Sequence, residues 1–355
     1  MTARLFEPLS IRSLTLRNRI VVSPMCQYSS VDGFANDWHL VHLGSRAVGG
    51  AAAVIAEATA VTADGRISPD DLGIWTDAHV APIAPIFRFI AAQGAIPGMQ
   101  LAHAGRKASN RAPFKGGGPL PGPEGGWSPI LGPSPIPFNT DWQTPVEIDR
   151  AAIRTVVGAF AAAASRVLEA GGLIIEIHAA HGYLLQEFLS PLSNHRGDEY
   201  GGTFPNRIRL VCEVVEAVRN VWPDRLPLFV RISSTDWVDG GWTIEDSIAL
   251  AARLKPLGVD VIDCSSGGNA AQAVIPFGPG YQVPFAERVR REAGIATAAV
   301  GLITEPGQAE QILASGQADL IVMARELLRD PYWPIHAALQ LGHAPEVPAQ
   351  YRRAY

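Results

Sequence analysis

The most informative segment of the chain is Leu173-Ile-Ile-Glu-Ile-His178-Ala-Ala-His181-Gly-Tyr183. It begins with a short apolar, partly β-branched run that follows two glycines, a pattern that predicts a buried strand. Polar side chains begin where this run stops, so His178, His181 and Tyr183 are expected at the carboxyl end of the strand. Ligands and catalytic groups collect at that end of parallel sheets, because the loops can vary while the strands are locked in the core. We therefore expect the functional site there.

The rest of the chain alternates runs typical of buried strands with amphipathic runs typical of helices. About eight β-then-α units favour a closed (β/α)8 TIM barrel over an open doubly wound sheet. No Gly-x-Gly-x-x-Gly motif follows the first strand, and no linker is evident, so we predict one domain over residues 1–355. The predicted strands are Ile20–Ser23, Ala52–Glu57, Ala95–Leu101, Leu173–Ile177, Leu228–Ile232, Val259–Cys264, Ala296–Val300 and Leu320–Met323. The predicted helices are Asp37–Val48, Asp77–Gln93, Glu147–Ala170, Pro205–Val221, Ile244–Leu257, Pro284–Glu292, Glu305–Ala314 and Trp333–Leu341.

Two of these helices carry a start signal with a physical mechanism. Thr144-Pro145-Val-Glu147 is typical of a capping box with proline at the first helical position. The threonine hydroxyl and the glutamate carboxylate would satisfy backbone N–H groups that have no partner inside the helix. Thr304-Glu-Pro306 has a similar pattern.

One segment, residues 105–145, interrupts the alternation of strands and helices. Glycine, proline, serine and asparagine dominate it, and no helical period survives. Long loops of this kind in compact domains are usually lids or binding loops, and the aromatic residues here could wall an apolar pocket. The sequence equally allows a surface excursion whose aromatic side chains pack onto the barrel. These aromatic residues are Phe114, Trp127, Phe138 and Trp142.

Composition limits the function classes. The chain is 47% hydrophobic and 18% charged, with a net charge of −5 and no run of like charges, so neither nucleic acid nor an anionic membrane is an expected partner. The beginning of the sequence has no apolar signal core, and the apolar stretch at 49–56 is far short of the ~20 residues that a membrane helix needs. Cys26, Cys212 and Cys264 are odd in number and far apart, which argues against disulfides. We expect a cytoplasmic protein.

The ends of the other predicted strands also carry polar groups. A turn with Cys26 and Tyr28 follows the first strand, although a free cysteine is more often an inert small hydrophobe. Gln100 ends the third strand and can donate and accept hydrogen bonds. Arg231 lies within an apolar run, where an unpaired guanidinium would cost several kcal/mol. Either a distant carboxylate or a bound anion must therefore compensate its charge.

The last two strand ends fit a phosphate site. Gly301 follows the seventh strand, and Ala324-Arg325 follows the eighth. In TIM barrels, backbone N–H groups and a helix N-terminus commonly face a phosphate at this position. The collected groups together suit a planar, phosphorylated cofactor that forms hydrogen bonds.

Other interpretations of the histidine and acidic motifs remain open. His178-x-x-His181 could be half of a metal site, which would make the protein a metal-dependent lyase or hydrolase on the same barrel. No third ligand has a suitable spacing nearby, so we predict no metal site. His39-x-x-His42 has the same spacing in a periodic helix and is interpreted as structural. We interpret Asp198-Glu-Tyr-Gly-Gly202 as loop architecture.

Five motifs, spread over nearly the whole chain, are together highly specific. They are Leu16-Arg-Asn18-Arg19-Ile-Val-Val-Ser-Pro24-Met25-Cys26-Gln-Tyr28, Gln100-Leu-Ala-His103-Ala-Gly105-Arg106, His178-Ala-Ala-His181-Gly-Tyr183, Asp198-Glu-Tyr-Gly-Gly202 and Ala324-Arg325. The chain resembles the old yellow enzyme family of FMN-dependent ene-reductases, and within it the thermophilic-like, or YqjM-like, subgroup.

The resemblance implies a tightly bound FMN at the mouth of the barrel. Arg231 would lie beside the N1/O2 edge of the flavin, where a fixed cation stabilises negative charge gained on reduction. The phosphate would contact Gly301, Ala324 and Arg325. Many relatives have glycine in place of Ala324, so we expect a slightly altered approach of the backbone to the phosphate. Around the isoalloxazine ring the resemblance places Ser23, Pro24, Met25, Cys26, Ala58 and Gln100.

The resemblance also implies a ping-pong reaction in which NADPH, or NADH, reduces the flavin and leaves before an activated alkene enters the same pocket. His178 and His181 would bind the carbonyl or nitro oxygen of the substrate, on which charge develops. Tyr183 would act as general acid toward the α-carbon. Cys26 would tune the flavin potential and contact the substrate, and Tyr28 would help bind the activating group. The sequence leaves open the physiological alkene, and it also allows a flavin carrier without ene-reductase turnover.

The C-terminal residues 346–355 resemble a tail that crosses to a neighbouring subunit in this subgroup. Arg353 matches an arginine that enters the active site of the partner and binds substrate. A frayed terminus is the alternative. We expect a homodimer or a higher even homo-oligomer.

Overall fold

The architecture is a closed barrel of eight parallel strands, each hydrogen-bonded to the next along the chain and the last to the first. The computed structural model describes residues 3–355, and residues 1 and 2 of the predicted domain lie outside this range. Helices follow the strands, so the predicted (β/α)8 TIM barrel is confirmed. The barrel strands are β1 (Ile20–Val22), β2 (Ala53–Ala60), β3 (Ile96–Ala102), β4 (Ile174–Ala179), β5 (Leu228–Ser233), β6 (Val261–Ser265), β7 (Ala296–Ala299) and β8 (Leu320–Met323).

The helices surround the barrel and bury an apolar face against it. Between α3 and α6, for example, buried valine, phenylalanine and alanine side chains pack the two helices together. Burial of such a stripe is the main source of stability of amphipathic helices. The helices are α1 (Asp37–Val48), α2 (Val80–Ala92), α3 (Arg150–Glu169), α4 (Leu184–Leu189), α5 (Phe204–Arg207), α6 (Arg209–Val221), α7 (Ile244–Leu254), α8 (Val283–Ala293), α9 (Pro306–Ala314), α10 (Arg325–Arg329) and α11 (Trp333–Gln340).

The predicted capping box at Thr144 is wrong. Residues Val146–Glu147 instead pair in parallel with Leu131–Gly132 as a short strand outside the barrel. Helix α3 begins three residues later, where the Asp149 carboxylate accepts a hydrogen bond from the N–H of Ala152 at 2.8 Å. Local propensity is a weak determinant, and here tertiary pairing overrides it.

Other predicted boundaries also shift. The predicted helix at Pro205–Val221 is divided at Ile208 into α5 and α6. The residue before α9 is Glu305, which makes no side-chain cap, so the pattern at Thr304 gives only the proline at the first helical position. Strands β2, β3, β4, β5 and β6 extend beyond their predicted carboxyl ends. As a consequence, His178 is a strand residue rather than the first residue of a loop.

The interior of the barrel changes from apolar to polar along the strands. Ile174, Phe229 and Val261 belong to an apolar cluster at the amino-terminal part of the interior. Side chains two residues apart on a strand point to the same face. Glu176 and His178 therefore follow Ile174 on the inner face of β4. The polar groups of the site therefore lie directly above a buried apolar layer of the barrel interior.

Helix α3 is long and apolar enough, by length and composition alone, to cross a membrane. Its sequence is not an uninterrupted apolar run, because it contains Arg154 and Arg166. Its apolar residues Val156, Phe160 and Val167 are buried, and the helix packs against α6 and β3. A core helix of a water-soluble protein passes the same test, so one such helix is weak evidence for a membrane span.

Segment 105–145 contains short 3-10 turns as well as irregular backbone. It is fixed at several points, which include a contact of 4.1 Å between the Lys107 ammonium and the ring of Phe138. Phe114 is 69% exposed, and its ring lies 6.2 Å from the ring of Tyr28. The aromatic residues therefore divide between packed and exposed positions, and the lid role remains a prediction.

Candidate active site

The carboxyl end of β4 brings the three predicted aromatic groups together. The ring of His178 lies 5.0 Å from the ring of His181 and 5.0 Å from the ring of Tyr183, with interplanar angles of 88° and 77°. His181 has a φ of +60°, which turns the chain before α4 begins after Tyr183. Edge-to-face packing of this kind is a favourable arrangement of aromatic rings.

Both imidazoles are neutral. Burial, together with the charges of Arg231 and Lys107, holds the pKa of His178 and His181 well below the usual value, and His181 further lowers the pKa of His178. A neutral imidazole can donate through one nitrogen and accept through the other. Nε2 of His181 lies 2.7 Å from the hydroxyl of Ser265. Within residues 3–355, Nδ1 of His178 has no hydrogen-bond partner, which leaves a polar atom available for a ligand.

Burial also keeps the hydroxyl and thiol groups of the site protonated. It raises the pKa of Tyr183 well above its usual value, with Cys26 and Tyr28 as further contributors. Burial likewise raises the pKa of Tyr28 and of the Cys26 thiol. Since the thiolate is the reactive form of cysteine, Cys26 is not an activated nucleophile. Tyr183 keeps a proton that it can donate.

The turn that carries Cys26 is held by a buried carboxylate. The N–H of Gln27 donates to Oε2 of Glu57 at 2.7 Å, and Oε1 of Glu57 lies 3.3 Å from Nε2 of His39. His39 also accepts a hydrogen bond from the N–H of Asn36 at the start of α1. The structural interpretation of His39 is therefore confirmed.

A carboxylate on the neighbouring strand compensates the charge of Arg231. Its Nε lies 3.4 Å from Oδ2 of Asp263, which is its register partner on β6, and its Nη1 donates to the hydroxyl of Ser23 at 2.9 Å. Of the two partners left open by the sequence, the structure supplies the distant carboxylate. Arg231 and Ser23, predicted to lie at the same cofactor, are thus in direct contact.

Gln100 lies opposite Ala58 on the neighbouring strand and forms a hydrogen bond with Glu176, a residue that the sequence analysis missed. Ala58 and Gln100 are register partners across β2 and β3. The amide of Gln100 donates to Oε1 of Glu176 at 2.7 Å. Glu176 lies two residues before His178, and Asp263 lies two residues before Ser265. The alternation of strand faces was the available signal for both carboxylates.

The ends of β7 and β8 form a cavity of about 150 Å³ lined by Gly301, Ala324 and Arg325. Gly301 has a φ of +122°, and a β-carbon there would lie 2.8 Å from the amide nitrogen of Gln282, so this position requires glycine. Ala324 has a φ of −110°, so its backbone is not in the left-handed region that favours glycine. No carboxylate pairs with Arg325 in the part of the chain that the structure describes. An exposed guanidinium beside a glycine-lined cavity fits the phosphate of FMN.

Lys107 connects segment 105–145 to the site. Its ammonium donates to the carbonyl oxygen of His181 at 2.8 Å and to that of Gly268, and it lies 5.5 Å from the ring centre of Tyr183. Burial lowers the pKa of Lys107 to about 7. Lys107 therefore anchors the segment and also contributes to the wall of the site.

The turn at His181 has two further supports, which sequence reasoning missed. The hydroxyl of Ser233 accepts from the N–H of His181 at 2.9 Å and donates to the carbonyl of Gly267 at 2.7 Å. A β-carbon on Gly182 would lie 2.2 Å from the carbonyl oxygen of Gly268, and one on Gly268 would lie 2.6 Å from the α-carbon of His181. The loops after β4 and β6 thus meet backbone to backbone.

Two predicted features remain apart from this cluster. Arg353 lies in a short exposed turn, Ala349–Ala354, and no hydrogen bond or ion pair joins it to another site residue within residues 3–355. In the same range, no group of three or more metal-binding side chains includes His178 and His181. The hypothesis of a metal-dependent lyase or hydrolase therefore gains no support from the geometry.

The fold and the side chains at the mouth of the barrel are compatible with a class of protein, the TIM-barrel oxidoreductases that bind a flavin. A model of the NADH:flavin oxidoreductase / NADH oxidase family matches residues 4–343. The chain belongs to this family, the old yellow enzyme family, which confirms the resemblance found in the sequence.

Curated relatives match the chain over its full length. NADPH dehydrogenase from Geobacillus sp. (strain WCH70) is 50% identical over 357 residues, which cover 100% of this chain and 99% of the relative. NADPH dehydrogenase from Bacillus subtilis (strain 168) is 48% identical over 357 residues and 100% of both chains.

Solved structures agree with the fold. Morphinone reductase in complex with tetrahydroNAD superposes with a TM-score of 0.79 and 25% identity over 97% of this chain and 92% of that chain. A complex of 2-naphthoyl-CoA reductase has a TM-score of 0.86 at 23% identity, and it shares the fold. This chain spans about half of that larger chain, since the alignment covers 53% of it.

Proposed function

We propose that this FMN-dependent enzyme uses NADPH to reduce the activated C=C bond of α,β-unsaturated carbonyl or nitro compounds by a ping-pong mechanism. The family and the NADPH dehydrogenases of similar sequence support the cofactor and the hydride donor. The observation that carries the choice of substrate is the contact between two neutral imidazoles, His178 and His181, and the protonated phenol of Tyr183.

The chain would hold FMN with residues from several strand ends. Ser23, Pro24, Met25, Cys26, Ala58 and Gln100 would surround the ring system, and Arg231 would lie beside its N1/O2 edge. Gly301, Ala324 and Arg325 would bind the phosphate. Within residues 3–355 the Nε atom of Arg231 has no hydrogen-bond partner, and this atom and the cavity beside Gly301 support the arrangement. Bound FMN supplies the hydride acceptor and donor.

His178 and His181 would bind the carbonyl or nitro oxygen of the alkene. Negative charge develops on that oxygen when the β-carbon accepts hydride, so donors placed there stabilise the transition state more than the ground state. Because both imidazoles are neutral, each can donate one N–H without losing a proton to the product. The contact of His181 with Ser265 fixes its ring.

Tyr183 would donate the phenolic proton from its Oη atom to the α-carbon of the substrate. Its raised pKa would keep this proton in place until the carbon becomes basic, and its contact with His178 supports a position beside the bound oxygen. Tyr28 would help to bind the activating group. Cys26 would contact substrate and flavin as a neutral thiol, because burial raises its pKa.

We also infer that the tail at 346–355 supplies Arg353 to the substrate site of a neighbouring subunit in an even homo-oligomer. The exposure of the tail residues supports this inference. The cysteines are all free, in agreement with a reducing, cytoplasmic location.

A stepwise anaerobic titration tests the proposed function. The purified protein should be yellow, NADPH should bleach it, and an enone should restore the colour. A colourless protein loaded with metal would support the lyase or hydrolase alternative. Bleaching without recovery by any member of an alkene panel would indicate a flavin carrier, and the same panel with NADH measures the nucleotide preference.

A further inference from the structure

The interior of the barrel contains two carboxyl groups one layer beneath the substrate-binding histidines. Glu176 on β4 and Asp263 on β6 are each 0% exposed. They lie on the two sides of β5, which carries Arg231. Because residues two apart share a strand face, Glu176 lies below His178 and Asp263 lies below Ser265. The proposed function assigns no role to either carboxyl group.

Several oxygens of these carboxyl groups lack a hydrogen-bond partner among the described residues. Oε1 of Glu176 accepts from Gln100 at 2.7 Å, but Oε2 has no partner among the residues that the structure describes. Neither oxygen of Asp263 accepts a hydrogen bond in that range, and the 3.4 Å contact with Nε of Arg231 lacks hydrogen-bond geometry. Buried acceptors without partners are rare in native proteins because each has lost its hydrogen bond to water without a replacement.

A single proton between Glu176 and Asp263 would give one oxygen of each carboxyl group a hydrogen bond. Two ionised carboxylates have acceptors only and cannot bond to each other, whereas a protonated carboxyl group donates one hydrogen bond. Glu176 and Asp263 project into the barrel from the strands on the two sides of β5, and each has an oxygen without a partner among the described residues. We propose that Glu176 carries a proton and donates it in a hydrogen bond to Asp263, so that Asp263 remains ionised as the counter-charge of Arg231.

The position of the proton follows from the neighbouring charges. Burial raises the pKa of Asp263, but the adjacent guanidinium of Arg231 opposes this effect and favours the ionised form. Glu176 has an amide, Gln100, as its partner, and burial and the charge of Asp263 raise its pKa. Arg231 is the charged group that acts on both members of this pair. The net charge of the three ionisable groups is then zero.

This charge state has a consequence for the flavin. If both carboxyl groups were protonated, Arg231 would present a full uncompensated charge to the N1/O2 edge. If both were ionised, the three groups would together carry a net negative charge there. Glu176 and Asp263 are therefore positioning residues, which act through Arg231. This consequence rests on the proposed FMN site, whereas the position of the proton does not.

Infrared spectroscopy of the enzyme as purified tests the proton directly. The wild type should show the carbonyl stretch of a protonated carboxyl group that is absent from the Glu176→Gln variant and is retained by the Asp263→Asn variant. A wild-type spectrum identical to that of Glu176→Gln in this region would overturn the proposal. This readout does not depend on the flavin, so failure of the proposed function would not obscure it.

The flavin reduction potential tests the consequence for Arg231. Glu176→Gln replaces a protonated carboxyl with a neutral amide of the same shape, so its potential should match that of the wild type. Asp263→Asn removes the counter-charge, and it should shift the reduction equilibrium at least tenfold toward the reduced state. Asp319→Asn is the matched control, since Asp319 pairs with Arg290 just before β8, at the other end of the barrel.

Equal shifts in Glu176→Gln and Asp263→Asn would show that both groups are ionised in the wild type, and the proposal would be wrong. If Asp263→Asn fails to retain FMN, the potential of Glu176→Gln and the infrared band decide the question. An unchanged potential with loss of the band supports the shared proton. A shifted potential contradicts it.

Discussion

The ring of Tyr183 stands 5.0 Å from the ring of His178, inclined by 77°. Both groups lie within one short segment, with His178 in β4 and Tyr183 immediately before α4. The proposed hydrogen-bond donor for the substrate oxygen and the proposed proton donor for the neighbouring carbon are thus fixed relative to each other by a few residues of backbone. This relationship underlies the first two predictions.

Replacement of Tyr183 by phenylalanine should separate the two half-reactions. Alkene reduction should slow by about 10²-fold or more, the usual contribution of a general acid. Flavin reduction by NADPH should stay nearly unchanged, because it needs no proton from this phenol. Stopped-flow absorbance of the flavin measures both rates.

The matched control for this experiment is Tyr200→Phe. The hydroxyl of Tyr200 contacts Glu213 on α6, outside the mouth of the barrel, at 3.0 Å. This variant should leave both half-reactions intact. Equal loss of both rates in Tyr183→Phe would rule out its role as proton donor.

Replacement of His178 by alanine should reduce kcat/KM for the alkene by about 10²–10³-fold, as expected for loss of an oxyanion donor. Since burial keeps the pKa of His178 and His181 well below the usual value, the wild-type rate of alkene reduction should not fall as pH drops from 8 to 6. His195→Ala, at an exposed histidine, is the control. An inflection near pH 6.5 that disappears in His178→Ala would contradict the assignment of neutral imidazoles.

Glu176→Gln should change how stability depends on pH. Burial raises the pKa of Glu176 to about 8, whereas the unfolded carboxyl titrates near 4.5. Between these values the folded chain holds a proton that the unfolded chain has released. The free energy of unfolding of the wild type therefore falls with rising pH, by at most about 1.4 kcal/mol per pH unit from this group.

Glutamine does not titrate, so Glu176→Gln should gain stability relative to the wild type as pH rises from 5 to 8. Thermal unfolding at several pH values measures this difference. Gln100, Arg231 and Asp263 face Glu176 and are unchanged in the variant. A difference in Tm that stays constant over this range would show that Glu176 does not hold a proton in the folded protein.

Lys107→Met should loosen the link between segment 105–145 and the site. The variant loses the hydrogen bonds to the carbonyls of His181 and Gly268, which for a charged donor are worth about 1.5–3 kcal/mol. We expect faster proteolysis within the segment and a fall of roughly tenfold in kcat/KM for the alkene. Lys115→Met, which removes an exposed pair with Asp70, is the control. Unchanged kcat/KM would argue against a lid role.

Deletion of the last five residues, 351–355, tests the tail. This change removes Arg353 and the contact between the hydroxyls of Tyr351 and Tyr332. We expect a smaller oligomer, measured by light scattering, and a raised KM for the alkene. Arg352→Ala is a control for loss of a neighbouring charge. Unchanged mass together with unchanged KM would refute the proposed role of the tail.

Much of the fold and part of the site could be predicted because their determinants are local. A buried strand such as Leu228–Ser233 appears as an uninterrupted apolar run, and the polar residues that end such runs mark the mouth of the barrel. His178, His181 and Tyr183 fall within six residues of one another, so their proximity needed no tertiary information.

The remaining features depend on contacts between distant segments. Nothing near Arg231 in the sequence shows that Asp263 is its partner, since the pairing arises only when β5 and β6 align. The failed capping box at Thr144 has the same origin, because the competing strand pair forms with a segment more than ten residues earlier. Sequence patterns identified the participants more reliably than their partners.

The backbone contact between Gly182 and Gly268 limits how this enzyme can be engineered for new substrates. We expect random libraries that diversify either position to consist mainly of misfolded clones, because a β-carbon at either glycine would overlap the backbone of the facing loop. Screening effort is better directed to Phe114, whose side chain is 69% exposed and contacts the ring of Tyr28.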